Sequence, residues 1–164
     1  MIRDYADADA EAVLALNAAC VPEVGPMDAD KLARFVDWAP YFKVVEVDGS
    51  VVGLIIGLTE DAPYDSPNYG WFAQRYPRFA YVDRVAVAEH ARGGGWGPAL
   101  YRDFERWARD NQRPLLCAEV NVEPPNPRSL RFHEIFGFDS IEHFEPSGSA
   151  DYRVVMLVKD LSRG

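Results

Sequence analysis

An α+β fold built around one mixed sheet is what this sequence predicts, and three features point to it. β-rich runs dominate the first half, two strand-then-helix units follow, and two further β-rich runs close the chain. A glycine-rich loop sits at the first of those strand-to-helix junctions, which places a crossover near the middle of the sheet.

Ile2 to Tyr5 reads as a short opening strand. From Asp7, an N-cap residue type, Ala10, Val13, Leu16 and Cys20 recur at helical spacing. Pro22 and Pro26 interrupt, and Leu32, Phe35 and Val36 mark a second helix beginning near Asp28. Phe42 to Val47 and Val51 to Thr59 are β-rich runs joined by Asp48-Gly49, a strong tight-hairpin signal. Glu60 to Arg78 follows as a long irregular stretch carrying Pro63, Pro67, Pro77 and the aromatics Tyr64, Tyr69, Trp71, Phe72 and Tyr76. Aromatic density argues against disorder, so this stretch is either a binding-site wall or a flap packed on its own rings.

Phe79 to Val87 is the next strand, followed by the glycine loop and a helix from Trp96 to about Asp110 with Leu100, Phe104 and Trp107 on one stripe. Leu115 to Val122 is a strand with Cys117, Glu119 and Asn121 on one side and Ala118, Val120 and Val122 on the other. A helix from Pro127 to Phe136 ends at Gly137, a C-terminal cap residue. Phe138 to Phe144 and Asp151 to Lys159 form the closing strands around the turn Pro146-Ser147-Gly148-Ser149.

With 164 residues the chain suits a single domain spanning 1–164, long enough to bury a core. No run approaches the ~20 apolar residues of a membrane span, and the start Met1-Ile2-Arg3-Asp4 does not lead into a signal peptide. Cys20 and Cys117 lie inside apolar patterns and read as reduced core thiols. These features together predict a cytoplasmic protein, with no membrane partner and no metal. The formal charge of −9 speaks against nucleic acid, whose binding needs a basic surface, and favours a cationic acceptor through long-range steering.

A strand running into Gly93-Gly94-Gly95-Trp96-Gly97 and then a helix is phosphate-binding architecture. Glycines let backbone N–H groups converge, the helix N-terminus supplies positive potential, and Arg92 adds a charge beside it. A tight turn would also explain the glycines. The nucleoside-triphosphate loop is excluded because Gly97 is followed by Pro98 and Ala99, not Lys-Ser/Thr. The dinucleotide fingerprint is excluded because no third glycine follows Gly97 at the required distance.

Arg92-x-x-Gly95-x-Gly97, after the strand Tyr81 to Val87, is similar to the coenzyme A-binding motif of the GNAT superfamily of N-acetyltransferases. Asn126-Pro-Arg-Ser129-Leu-Arg-Phe132-His133-Glu-Ile-Phe-Gly137-Phe138 resembles the second motif of that family, in the same order and at a matching separation. The resemblance covers essentially the whole chain. It implies a mostly antiparallel, twisted sheet of about seven strands flanked by about four helices. It also implies acetyl-coenzyme A as the donor of an acetyl group to an amine. The amides of Gly93, Gly94, Gly95, Trp96 and Gly97, with Arg92, would hold the pyrophosphate. The strand edge Val85-Ala86-Val87 would pair with the pantetheine arm. A backbone N–H near Val85 would polarise the thioester carbonyl. Asn126 and Ser129 would contact the cofactor, although Asn followed by Pro is also a good helix N-cap on its own account.

The family usually places an acidic tyrosine seven residues after the asparagine, and here that position is His133. A histidine tucked beside the core is the competing reading. Two carboxylates compete as the base. Glu119 lies mid-strand in an apolar run, where a charge is costly unless paired or functional. Asp83 shares a sheet face with Tyr81 and Val85, and either a salt bridge with an arginine such as Arg84 or plain solvation explains it equally. A water chain with no single base is a third route. For the acceptor, Tyr64, Asp65, Tyr69 and Tyr81 are the candidate contacts, with Asp65 able to neutralise an ammonium and the rings to stack on it, or Asp65 equally able to cap the following turn.

The expected function is therefore transfer of an acetyl group from acetyl-coenzyme A to a small-molecule amine, and a homodimer is compatible with the family. Two rivals stay open: a coenzyme A-binding sensor on the same fold, and a plain phosphate binder using only the glycine loop.

Overall fold

The computed structural model describes residues 1–148 and 151–162. Among them the elements run β1 (Ile2–Asp4), α1 (Ala10–Ala19), α2 (Ala29–Trp38), β2 (Tyr41–Val47), β3 (Ser50–Thr59) and α3 (Pro67–Ala73). They continue with β4 (Ala80–Val87), α4 (Trp96–Asp110), β5 (Leu115–Glu123), α5 (Pro127–Phe136), β6 (Asp139–Phe144) and β7 (Arg153–Asp160). Hydrogen-bonded strand neighbours follow the order β1-β2-β3-β4-β5-β7-β6. The β4–β5 pair is parallel, and β1–β2, β2–β3, β5–β7 and β6–β7 are antiparallel. This is the mixed sheet that the order of elements predicts, with the seven mostly antiparallel strands that the family resemblance implies.

Two compact units make up the chain: Met1–Ala62 with Val82–Trp107, and Pro63–Tyr81 with everything from Ala108 on. β4 and α4 each begin in one unit and end in the other.

In the first unit, Asp48 and Gly49 both take positive φ, 50° and 79°, and close the β2–β3 hairpin with Val47 opposite Ser50. Asp-Gly suits that turn because both central residues must be left-handed. The hairpin buries Val44, Val45, Leu54, Ile55 and Ile56. Gly57 of β3 lies against the Phe104 ring of α4 so closely that a Cβ there would overlap the ring. Phe104 in turn meets Tyr41 at 4.6 Å and Trp107 at 5.8 Å, so the stripe expected on α4 is the one it buries. Asp28 caps α2 by accepting the Lys31 amide at 2.8 Å. The start of α1 differs from expectation. Asp7–Asp9 form a short 3-10 turn, and Asp9 accepts the Ala6 amide at 2.9 Å while pairing with Arg3 at 2.8 Å. The local ion pair with Arg3 recruits Asp9, not Asp7, as the organising acid.

In the second unit, β7 lies between β5 and β6, with Glu119 opposite Met156 and Phe144 opposite Val154. Asn126 caps α5 through the Ser129 amide at 3.3 Å, and Gly137 ends it in the left-handed conformation at φ 103°. Of the closing turn, Ser149 lies outside the described residues. The principal departure from the sequence reading is α3, which occupies part of the stretch expected to be irregular. Ser66 caps it by accepting the Tyr69 amide at 3.4 Å, and Pro67 takes the first helical position. Seven residues are too few to show a helical period by themselves, and packing of Tyr69 and Phe72 stabilises this turn of helix instead. Among the described residues there are thus five α-helices, one more than the sequence reading supplied.

Candidate active site

In the first unit, β4 delivers the chain to a short 3-10 turn at Glu89–Ala91 and then to the glycine loop. Gly93 and Gly95 hold φ 83° and 82°, a region that side chains with a Cβ rarely adopt. A Cβ at Gly93, Gly95 or Gly97 would meet nothing, so backbone conformation and not crowding demands glycine at 93 and 95. Arg92 through Gly95 are exposed, and α4 begins immediately after them. Its first i to i−4 bond runs from the Ala99 amide to the Gly95 carbonyl at 3.1 Å. The amides of Trp96 and Gly97 precede that bond and have no carbonyl within the helix to bind. The residues therefore fit a pyrophosphate: exposed backbone donors, a helix dipole and the Arg92 charge occupy one short segment.

Arg92 is itself anchored. Its Nε donates to the Val87 carbonyl at 3.2 Å and its guanidinium approaches Cys20 Sγ at 3.9 Å. The Val87 carbonyl is thereby engaged by the chain's own side chain. Val85 and Val87 are half-exposed and Ala86 is buried.

Asp83 also lies in the first unit, in a buried ion pair. Arg84 Nε donates to its Oδ2 at 2.8 Å, and both side chains are 4% exposed. Arg84 completes its shell with Asn17 Oδ1 at 2.8 Å and the Gly25 carbonyl at 2.9 Å. This is the ion pair that the sequence offered as the structural explanation of Asp83. This carboxylate is committed to a structural ion pair.

The second unit holds Glu119. Its carboxylate accepts the Tyr81 hydroxyl through both oxygens, at 2.8 and 2.9 Å, and the Asn68 amide at 3.2 Å. Tyr81 is 1% exposed and is fixed by Tyr69 at 5.5 Å and Phe72 at 5.6 Å, with Tyr69 also against Phe79 and Tyr64. Aromatic packing thus holds the phenol that orients the carboxylate. Beside it, burial first and the Glu119 carboxylate second push the Cys117 thiol well above its ordinary value. Cys117 is therefore an inert core thiol, not a nucleophile.

The residues proposed as acceptor contacts separate into two sets. Tyr69 and Tyr81 are buried in that aromatic cluster. Tyr64 and Asp65 instead line an open groove of about 480 Å³ together with Trp71, Arg75, Glu142 and Phe144. Arg75 stacks 3.8 Å from the Trp71 ring centre and reaches Glu142 at 3.8 Å. Groove residues Pro67, Gly70 and Trp71 share one face of α3, and Asn68, Tyr69 and Phe72 share another.

At the start of α5, Asn126, Ser129 and His133 form a chain of contacts. Asn126 Oδ1 accepts the Ser129 amide, and the Ser129 carbonyl lies 2.7 Å from His133 Nδ1. A carbonyl only accepts, so Nδ1 carries the proton of the neutral ring. Burial lowers the His133 pKa from its ordinary 6.5, against a smaller raising effect of the Ser129 contact. The imidazole is therefore neutral at pH 7, with Nε2 lacking a proton to give. His133 sits at 5% exposure between Phe132 at 5.3 Å and Phe138 at 5.1 Å. Its surroundings are those of the core histidine weighed above, and they do not equip it as the acid.

The profile of the acetyltransferase (GNAT) family matches residues 10–138. The chain belongs to this family. It is 28% identical over 152 residues to "Acetyltransferase Atu2258" of Agrobacterium fabrum (strain C58), covering 91% of this chain and 90% of that protein. Among solved structures, it superposes on Chaetomium thermophilum Naa20 in complex with a bisubstrate analogue with a TM-score of 0.78 at 21% identity, covering 99% of this chain and 87% of the other. The ribosomal-protein-alanine N-acetyltransferase of Brucella melitensis gives a TM-score of 0.75 at 24% identity, covering 98% and 99%. These structural likenesses establish the GNAT fold. The family membership makes this chain an acetyltransferase enzyme.

Sequence reasoning missed Asn68, because it lay in a stretch read as irregular. The available signal was Ser66-Pro67, an N-cap followed by proline at the first helical position.

Proposed function

We propose that this GNAT enzyme transfers the acetyl group of acetyl-coenzyme A to an amine of a small acceptor, with Glu119 as the proton acceptor. The observation that carries this reading is the Glu119 carboxylate, set mid-strand on β5 and oriented by Tyr81 and Asn68. A half-buried carboxylate held at both oxygens is an unusual element for a strand interior and suits proton transfer. Asp83 is the weaker candidate, since Arg84 already neutralises it.

Acetyl-coenzyme A would supply an acetyl carbon that forms a bond to nitrogen as its bond to sulfur breaks, with the electron pair leaving on sulfur. The chain's own contribution is to bind and to move protons. Gly93 to Gly97 and Arg92 hold the pyrophosphate through backbone amides and charge. The backbone of Val85 to Val87 lies past the β4–β5 partners Tyr81 and Cys117 and would pair with the pantetheine arm, with an N–H near Val85 as the donor to the carbonyl oxygen. Asn126 Nδ2 and Ser129 Oγ are the groups these residues have left to offer the cofactor once α5 is capped. Glu119 takes the proton that the amine nitrogen releases, and solvent returns a proton to the departing thiolate, since His133 is not equipped to do so. The charge of −9 favours encounter with a cationic amine.

The test is acetyl-coenzyme A-dependent thiol release across a panel of polyamines, amino acids, aminoglycosides and short peptides. Release with at least one amine, lost in Glu119→Gln, is expected. Saturable coenzyme A binding without release on any amine would instead establish the sensor reading.

A further inference from the structure

Asn68 carries an unmet demand at the Glu119 cluster. Its Nδ2 donates to Glu119 Oε1 at 3.2 Å. A carboxylate only accepts, so the NH₂ end of the amide must face Glu119, which fixes the amide orientation by chemistry. The other end, Oδ1, is then buried with no hydrogen-bond partner. Folded chains leave few such atoms, and each one unmet is costly. The neighbouring groups do not supply a donor. Tyr81 spends its one hydroxyl proton on Glu119. Asn68 as a whole is half-exposed, although its Oδ1 is buried.

We infer that Asn68 Oδ1 is the hydrogen-bond acceptor that seats the acceptor amine beside Glu119, and that this one side chain sets the preference for a primary over a secondary amine. This rests on Glu119 being the base. An attacking amine must present its lone pair to the acetyl carbon and release one N–H proton to Glu119. A primary amine still has a second N–H for Asn68 Oδ1, and the amide product keeps that N–H. A secondary amine has only one N–H and leaves Oδ1 unmet. The discrimination is steep because a buried acceptor without its donor is penalised more than a made bond is rewarded.

The side-chain amide signal of Asn68 in ¹⁵N-labelled protein, identified by its absence in Asn68→Ala, reports the seat directly. Methylammonium chloride should perturb it saturably, and tetramethylammonium chloride, which has no N–H, should not. No perturbation by methylammonium, or equal perturbation by both ions, would overturn the proposal. In turnover, paired primary and N-methyl secondary amines should differ by about tenfold or more in kcat/KM with the native chain. Asn68→Ala should erase that preference and leave the acetyl-coenzyme A KM unchanged. A preference that survives in Asn68→Ala would reduce Asn68 to a prop for Glu119. Glu119→Gln separates the two readings: full turnover in that variant, with methylammonium still perturbing Asn68, removes the base and keeps the seat.

Discussion

The glycine loop of the first unit works with backbone, whereas the Glu119 cluster of the second works with side chains. Gly93 and Gly95 contribute a φ that other residues rarely take, and Arg92 adds a charge anchored on Val87. All of this lies within a few consecutive positions. Glu119 depends on Tyr81 and Asn68, brought from 38 and 51 residues away in sequence. The first arrangement can be written as a motif; the second exists only after folding. Grip and chemistry should therefore fail separately when perturbed.

The largest expected effect is on the chemistry. Glu119→Gln should lower kcat by about 10³-fold, within the range for a lost general base, and leave acetyl-coenzyme A affinity intact. A single-turnover measurement with retained cofactor binding checks it. If kcat falls less than tenfold where chemistry is rate-limiting, side chains of the second unit do not carry the proton.

Asp83→Asn should act on folding instead. It leaves the buried Arg84 charge without a counter-charge, both side chains being 4% exposed, and should cost roughly 3 kcal/mol of stability. Urea denaturation measures this, and the folded fraction should keep its specific activity. A stable Asp83→Asn protein with a crippled kcat would transfer the base role to Asp83.

Gly95→Val tests the backbone grip. A β-branched residue at φ 82° is strained, and the loop should abandon its shape. The KM for acetyl-coenzyme A should rise about tenfold, equivalent to ~1.4 kcal/mol, while kcat at saturation stays near native. An equal fall in kcat would mean that grip and chemistry are not separable.

The smallest effect belongs to His133. Its folded pKa is lowered by burial, so the unfolded chain binds the proton more tightly. The stability it contributes is present above its unfolded value of 6.5 and is lost progressively as pH falls below that. His133→Gln should flatten the fall in Tm between pH 7 and 5 and change kcat by less than about threefold. A loss of a hundredfold would restore it as the acid.

Much of this molecule was legible beforehand. Asp48-Gly49 marked its hairpin, Asn126-Pro127 and Gly137 bounded α5, and the stripe Leu100, Phe104 and Trp107 marked α4. Each is a local signal, read within one turn or one helix. The α3 helix was not legible, because seven residues carry too little periodicity and their burial depends on rings elsewhere in the chain. Asn68 disappeared with it.

By itself, the sequence determined the order of strands and helices apart from α3, the glycine loop and the family, because these rest on neighbouring residues and on backbone conformations that glycine or proline favour. The tertiary structure decided which carboxylate is spoken for. Asp83 and Glu119 look alike as acids inside apolar strands. Arg84 neutralises the first, and Tyr81 with Asn68 orients the second. Arg84 is next to Asp83 in sequence, but its anchoring on Asn17 and Gly25, like the meeting of Glu119 with Tyr81 and Asn68, joins residues remote along the chain that become neighbours only when it folds.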